Sequence, residues 1–226
     1  MSCAIAFDTE TTGLEPHLGH RVIEVAAIEL RNDLPTGRQF HRLVDPCRDV
    51  PEDATRIHGF TNAHLAGKPL FGEVGGELLE FFGANEMLIA HNAPFDFAFL
   101  NAEFEMLGLP PLHIDRMVDT LEVAKAKFPG LPNSLDALCR RFSIDLAART
   151  THNALLDCKL LAEVYIELTG GRQRGLVLEA PRISVSAVVY EVDRARIPRP
   201  MVPSEDELAA HAALVARLKD PVWVAG

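Results

Sequence analysis

Residues 3–13 read CAIAFDTETTG, an apolar run over 3–7 that stops at two carboxylates, Asp8 and Glu10. A short apolar run ahead of a polar, glycine-ended stretch reads as a buried strand. Strand alternation puts side chains two apart on one face, so Asp8 and Glu10 project together from the end of that strand. Two carboxylates held side by side repel each other and call for a cation, a proton or an arginine. Mg²⁺ or Mn²⁺ would suit them, because hard divalent ions prefer oxygen ligands. Taken alone, the pair reads equally well as two solvated acids at a strand end.

The surrounding chain extends this strand into a sheet. RVIEVAAIEL, residues 21–30, starts with apolar–polar alternation and is rich in β-branched residues, which predicts a second strand. RQFHRLVDP, residues 38–46, predicts a third, with LPTG at 34–37 as the turn between them. Apolar residues at 71, 74, 78, 79, 81 and 82 predict a helix closed by Gly83. MLIA, residues 87–90, reads as a short buried strand, and Pro94 marks the first turn of a helix running to about Leu107. MVDTLEVAKAKF, SLDALCRRF and NALLDCKLLAEVYIEL read as three further helices, the last closed by Gly170-Gly171. A meander of strands followed by helices and another strand predicts an α/β fold: a mixed β-sheet flanked by helices, with a C-terminal extension carrying a short helix. Residues 1–171 form the expected domain, and 172–203 an Arg-, Pro- and Val-rich linker in which 183–190 also has strand character. Ser204 and Glu207 then form a capping box that opens an amphipathic helix to about Leu218, within a last segment of 204–226.

Composition bounds the function. With 226 residues, 48% hydrophobic and 24% charged, the chain is long and apolar enough for one α/β domain plus an appendage. No apolar run approaches the ~18–20 residues of a membrane span, and no basic segment precedes the apolar MSCAIAF, so the expectation is a cytoplasmic protein without a membrane partner. Cys3, Cys47, Cys139 and Cys158 lack metal-site or disulfide spacing and are expected to be reduced. Net charge is −10, and residues 1–171 hold 14 Lys/Arg against 25 Asp/Glu. That balance argues against a strong unaided grip on DNA and for a substrate delivered by a partner. It does not exclude a nuclease, since bound cations invert the local field where phosphate sits.

Two further stretches carry chemistry. In HNAPFDFAFL, residues 91–100, Asp96 falls in the first turn of its helix, where the positive dipole end favours a carboxylate. It reads both as a dipole complement and as a metal ligand following a buried strand. In HNALLDC, residues 152–158, His152 and Asp157 are five apart and do not share a helical face, which puts His152 before the helix and Asp157 inside it. A lone histidine is more often structural than catalytic, but this one stands beside a fourth carboxylate. As a unit the set fits phosphodiester hydrolysis. Four carboxylates hold two ions about 3.5–4 Å apart that activate water and neutralise the leaving oxygen, and a histidine titrating near neutrality takes the proton.

FDTETTG, HNAPFDFAFL and HNALLD resemble, in order and rough spacing, the three motifs of the DEDD exonuclease superfamily. The histidine five before the last aspartate resembles its DEDDh branch. SLDALCRRFSIDLAARTTHNALLDCKLLAEVYIELTGG and RIHGFT at 56–61 resemble, within that branch, the proofreading subunits of bacterial replicative polymerases, so the likeness covers residues 1–171. The resemblance implies an RNase H-like fold and 3′→5′ removal of mispaired nucleotides from single-stranded or frayed 3′ ends of DNA. It implies that Asp8 bridges two ions, Mg²⁺ or Mn²⁺, that Glu10 and Asp157 hold the one carrying the nucleophilic water, and that Asp96 supports the second through water. His152 would be the general base. Thr11, Gly13, Leu14, His58, His91 and Asn92 would line the site for the terminal nucleotide, with Leu14 as a wedge. Past the domain, Gln173, Leu176 and Leu178 resemble a sliding-clamp peptide with leucine in place of its aromatic. The final segment resembles one that docks on the polymerase catalytic subunit, through a Leu208, Ala212, Val215 and Leu218 stripe and Trp223 as anchor; the same stripe would serve a helix packed on its own domain. Two rival functions share the fold. A free-standing DEDDh exonuclease acting on RNA ends or in DNA repair has little use for such a tail. A catalytically inactive binding subunit would have lost one of Asp8, Glu10, Asp96, Asp157 and His152, and all five are present.

Overall fold

The computed structural model describes residues 3–147, 149, 151–170 and 202–219. Strands β1 (Cys3–Thr11), β2 (Val22–Arg31) and β3 (Leu34–Leu43) form an antiparallel meander. Helices α1 (Glu52–His58), α2 (Asn62–Leu65) and α3 (Phe71–Phe82) lead into β4 (Met87–Ala90), α4 (Ala93–Met106) and β5 (Met117–Asp119). Helices α5 (Thr120–Lys127), α6 (Leu135–Arg141) and α7 (Ala154–Leu168) follow. The sheet order is β3-β2-β1-β4-β5, with β4 parallel to β1 and β5 parallel to β4. The predicted mixed sheet flanked by helices is therefore present.

Alternation along β1 divides the core into two layers. Ile5 and Phe7 point into a cluster with α3 and α4, where the Phe7 ring meets Phe82 edge-on at 5.2 Å and Phe97 at 5.9 Å. Ala6 faces the opposite layer, which packs Ala26 and Ile28 against Ala154, Cys158, Leu161 and Ala162 of α7. Small residues on that face of the sheet let α7 lie close to it, and this fixes the height of anything carried on its first turn. The three parallel strands end on one side of the sheet, where α/β proteins form their crevices. There the β1–β2 register slips between Glu10 and Thr11, an irregularity that re-aims side chains at the strand end.

The boundaries depart from the sequence reading in three places. The β2–β3 turn is Asn32-Asp33, both at positive φ (51° and 65°), and not LPTG. A two-residue turn of this kind matches the strand twist, and LPTG becomes the start of β3, an edge strand where Pro35 forfeits no interior ladder bond. MVD at 117–119 is not the head of a helix but β5, paired with Leu88–Ala90. The helix begins at Thr120 because the Asp119 side chain caps it, accepting from Leu121 N at 2.9 Å. Helices α1 and α2 occupy a stretch to which the periodicity assigned no element.

The chain divides into two compact units, Met1–Val177 and Leu178–Gly226. In the second, α8 (Glu205–Val215) begins at the expected box: Ser204 Oγ accepts from Glu207 N at 3.3 Å and Ser204 N donates to Glu207 Oε2 at 2.8 Å. It ends three residues short of Leu218. Leu208 and Leu218 are exposed, Ala212 is exposed and Val215 is half-buried. Gln173, Leu176, Leu178, the possible strand at 183–190 and Trp223 lie outside the described residues.

Phe7 sits directly before Asp8 and is wholly buried. Phe7→Ala is expected to lower stability by about 3–5 kcal/mol, measured from the urea unfolding midpoint; a loss under ~1 kcal/mol would show that the α3/α4 layer repacks around the gap.

Candidate active site

The chain's own backbone delivers four carboxylates to one cleft. Asp8 and Glu10 leave the same face of β1, and Asp157 rises from the first turn of α7 on that face. Asp96 enters from the first turn of α4, where Thr9 holds it: Asp96 Oδ1 accepts from Thr9 N at 3.1 Å and from Thr9 Oγ1 at 2.7 Å. The cleft measures about 340 Å³ and is lined by these four acids with His91, Phe95, Ser134, Leu135, Asp136, Arg149 and His152. His152 precedes α7, as the spacing predicted, with its side chain half exposed and its Nδ1 3.4 Å from Asp157 Oδ2.

Electrostatics separates the acids. Burial, then repulsion from Asp96, Glu10, Asp157 and Glu24, raises the Asp8 carboxyl well above the ordinary range. Burial and the charges of Glu24, Asp157 and Asp96 push Glu10 up to about 8. Burial raises Asp96 to about 7 against the two Thr9 hydrogen bonds, which favour its anion. Asp157 is also buried, but the Arg149 hydrogen bonds and the nearby His152 outweigh that and hold it below the usual carboxylate range. Asp157 Oδ1 accepts from Arg149 Nε at 2.6 Å and its Oδ2 from Arg149 Nη2 at 2.7 Å. Among the described residues, the Asp8 and Glu10 carboxylates receive no hydrogen bond. One ligand atom each from Glu10, His152 and Asp157 lie within 4.8 Å of one another, close enough to share one ion. Oxygen-rich and crowded, with Asp8 and Glu10 lacking donors, this set fits hard divalent cations.

Beside the cleft opens an apolar groove of about 520 Å³, sharing Thr9, Glu10 and Phe95 with it. It gathers Thr11, Gly13, Leu14 and His58 from the predicted nucleotide set, with Leu18 and Ile57 on its rim. Leu14 is 77% exposed, and Leu18 and Ile57 are also solvent-facing, an apolar surface that stands outside the core formed by the described residues. Gly13 is required by close approach, since a Cβ there would lie 2.3 Å from the His20 ring. His58 Nδ1 accepts from Phe60 N at 3.0 Å, while its Nε2 and that of His91 are buried without a hydrogen-bond partner among the described residues. Burial lowers the pKa of both rings and keeps them neutral at pH 7. Asn92 lines neither space. At φ 70° it starts α4, and its backbone N–H donates to Asp119 Oδ1 at 2.9 Å.

Sequence reasoning missed Thr9, Glu24, Asp136 and Arg149. Glu24, wholly buried on β2, is the Cα partner of Glu10. Its carboxylate accepts from Ala154 N at 3.0 Å, Asn153 Nδ2 at 3.0 Å and His41 Nε2 at 2.7 Å, and so anchors the start of α7 and the residue after His152. An acid inside the otherwise apolar run VIEVAAI was the signal for it.

The raised carboxyls fix a pH dependence. An acid whose pKa is higher folded than unfolded binds protons preferentially in the native state, so stability falls as pH rises between the two values. Melts of the metal-free protein in chelator are expected to show a Tm lower at pH 8.5 than at pH 5.5, with Mg²⁺ or Mn²⁺ restoring it. Even ~1 kcal/mol moves Tm by about 2–4 °C at this size. A Tm that rises with pH in chelator would show that the acids are not crowded.

The chain matches the RNase T exonuclease family over residues 5–165. It is 42% identical over 222 residues to DNA polymerase III subunit epsilon of Rickettsia felis, covering 95% of this chain and 96% of that one. It is 37% identical over 223 residues to the Escherichia coli K12 protein of the same name, covering 92% and 90%. Among solved structures it resembles exonuclease X in complex with 5′-overhanging duplex DNA, with a TM-score of 0.59, 26% identity and coverage of 74% of this chain and 90% of that one. Exonuclease I aligns with a TM-score of 0.65 at 19% identity over 75% of this chain and 41% of its own, a likeness of fold alone, and that fold is RNase H-like.

Proposed function

We propose, from the premise that this chain belongs to the RNase T exonuclease family, that it removes nucleotides from the 3′ ends of DNA by hydrolysis with two divalent cations, Mg²⁺ or Mn²⁺, as the proofreading subunit of a replicative polymerase. The convergence of Asp8, Glu10, Asp96 and Asp157 on one cleft that adjoins an exposed apolar groove supports the reading. The relatives of similar length that share 37% to 43% identity are named subunits of DNA polymerase III.

Each residue has a role its surroundings support. Glu10, Asp157 and Asp8 would hold one cation and Asp8 with Asp96 the other; bound there, the cations supply an acidified water and neutralise charge on the phosphate. His152 is half exposed at the cleft mouth, where a ring can accept a proton from that water and release it to solvent. Thr9 fixes Asp96 and Glu24 fixes the start of α7, so neither the second site nor the base drifts. Leu14, Ile57 and Phe95 offer apolar faces to a base, and base stacking of this kind needs no sequence readout. The groove takes an unpaired terminus, so mismatches are removed preferentially because they fray. The tail would serve partners: 204–226 the polymerase catalytic subunit, and Gln173, Leu176 and Leu178 the sliding clamp.

The test is degradation of a 3′-mismatched primer with Mg²⁺ or Mn²⁺. Asp8→Ala is expected to abolish it, and His152→Ala to lower turnover by about 10²–10⁴ while metal binding persists. No loss of 3′ nucleotides from folded wild type with either metal would refute the enzyme reading. Deletion of 204–226 is expected to leave primer degradation intact and to end co-purification with the polymerase catalytic subunit. Retained co-purification would place docking elsewhere.

A further inference from the structure

We infer that Arg149 is a latch on the catalytic centre: its guanidinium and the first divalent cation compete for the same edge of Asp157, and the arginine must leave before His152 can accept a proton at Nδ1. The inference rests on the metal-binding reading of the cleft.

The guanidinium is fully engaged. Nε and Nη2 take both oxygens of Asp157 at 2.6 and 2.7 Å, a side-on fork that consumes the edge a chelated ion would use. Nη2 also lies 3.0 Å from His152 Nδ1. The same Nδ1 lies 3.4 Å from Asp157 Oδ2, but the guanidinium is nearer and arginine only donates, so in this contact Nδ1 accepts and the neutral ring carries its proton on Nε2. Held this way, His152 has no free nitrogen with which to act as a base. The same cation thus occupies a metal ligand and the general base together.

Two further observations argue for exchange and against a permanent brace. First, Nη1 binds Asp136, at the start of α6 and outside the ligand set, so a guanidinium released from Asp157 keeps a partner at the cleft wall. Second, Arg149 and Asp157 are both almost fully buried, with 9% and 3% of their side chains exposed. A dication on Asp157 would face the guanidinium across a few ångströms with little water between them, and like charges so placed disfavour joint occupancy. The crowded acids would then carry one cation or the other. Arg149 would keep the carboxylates compact until metal arrives, and would then stay on Asp136 at the cleft wall.

The experiment is calorimetric titration of Mn²⁺ into the full-length wild type, Arg149→Met and Arg149→Lys, with chelator melts alongside. Competition predicts that Arg149→Met binds Mn²⁺ on the order of tenfold tighter, the usual size of coupling between two ligands of one site, while its metal-free Tm falls below wild type. Arg149→Lys, which keeps a charge but loses the fork, should also bind more tightly, and it decides the matter if Arg149→Met does not fold without metal. Unchanged or weaker binding in the folded variant overturns the latch and makes Arg149 a brace for Asp157. No Mn²⁺ binding by wild type would instead refute the metal reading itself.

Discussion

The constraint on which this structure turns is the repulsion among acids at the end of β1. Asp8, Glu10, Glu24, Asp96 and Asp157 come from four different elements, yet the other four together raise the Asp8 carboxyl, and Glu24, Asp157 and Asp96 raise Glu10. A fold keeps such a cluster only if each member is held by something stronger than its repulsion. Here that is the central position of β1, hydrogen-bonded on both sides and packed on both faces. The five differ in how they are satisfied. Glu24 collects three donors and Asp96 two, and Asp157 collects a guanidinium fork. Asp8 and Glu10 collect none among the described residues. The unsatisfied pair shares the cleft with Asp96 and Asp157, and bound cations there would complete the balance. The hydrogen bonds to Glu24 and from Thr9 hold the surrounding elements, and the unrelieved repulsion is left at Asp8 and Glu10.

Much of this was legible in the sequence because the main signals are local. Asp8 and Glu10 sit at the end of a strand that announces itself by five apolar residues, and period two puts them on one face. Asp96 and Asp157 each lie in a helix's first turn marked by a nearby Pro94 or a capping Asn153. Gly13 belongs to the motif, and the His20 ring occupies the space a Cβ there would need. The errors arise where local signals compete. LPTG carries the strongest turn chemistry in its region, but Asn32-Asp33 match the strand twist better and take the turn. Met117–Asp119 is too short for periodicity to register, and its strand identity comes from pairing with β4, a long-range contact no window of sequence contains.

The residues that were missed share one property: they act through others. Thr9 is unremarkable in FDTETTG until Asp96, 87 positions away, lands on it. Glu24 looks like a polar interruption until α7 sets its N-terminus on it. Arg149 is one of several arginines until the fold closes it over Asp157. Ligands and bases are chosen for their chemistry and betray themselves by type. Supporting residues are chosen for position, and position exists only in the fold.

The acidity of the body has a counterpart in this arrangement. A nuclease domain with far more acids than bases has little long-range pull on DNA, so on the proposed function its affinity would come from short-range contacts: cations held in the cleft and apolar faces in the groove. Both would reward an unpaired end and give a paired one little. A strong basic surface would add the same binding energy to correct and incorrect termini, and uniform binding adds no discrimination. Weak intrinsic grip is therefore what a selective enzyme of this type needs, provided that something else raises the local concentration of 3′ ends. Tethering does so without new contacts to the substrate, because it converts encounter into an intramolecular event. The second unit, whose one described helix keeps Leu208 and Leu214 exposed, has the character of such a tether's far end. On the proposed function the acidic body and the tail would be two halves of one solution: selectivity would come from the cleft and occupancy from the partner.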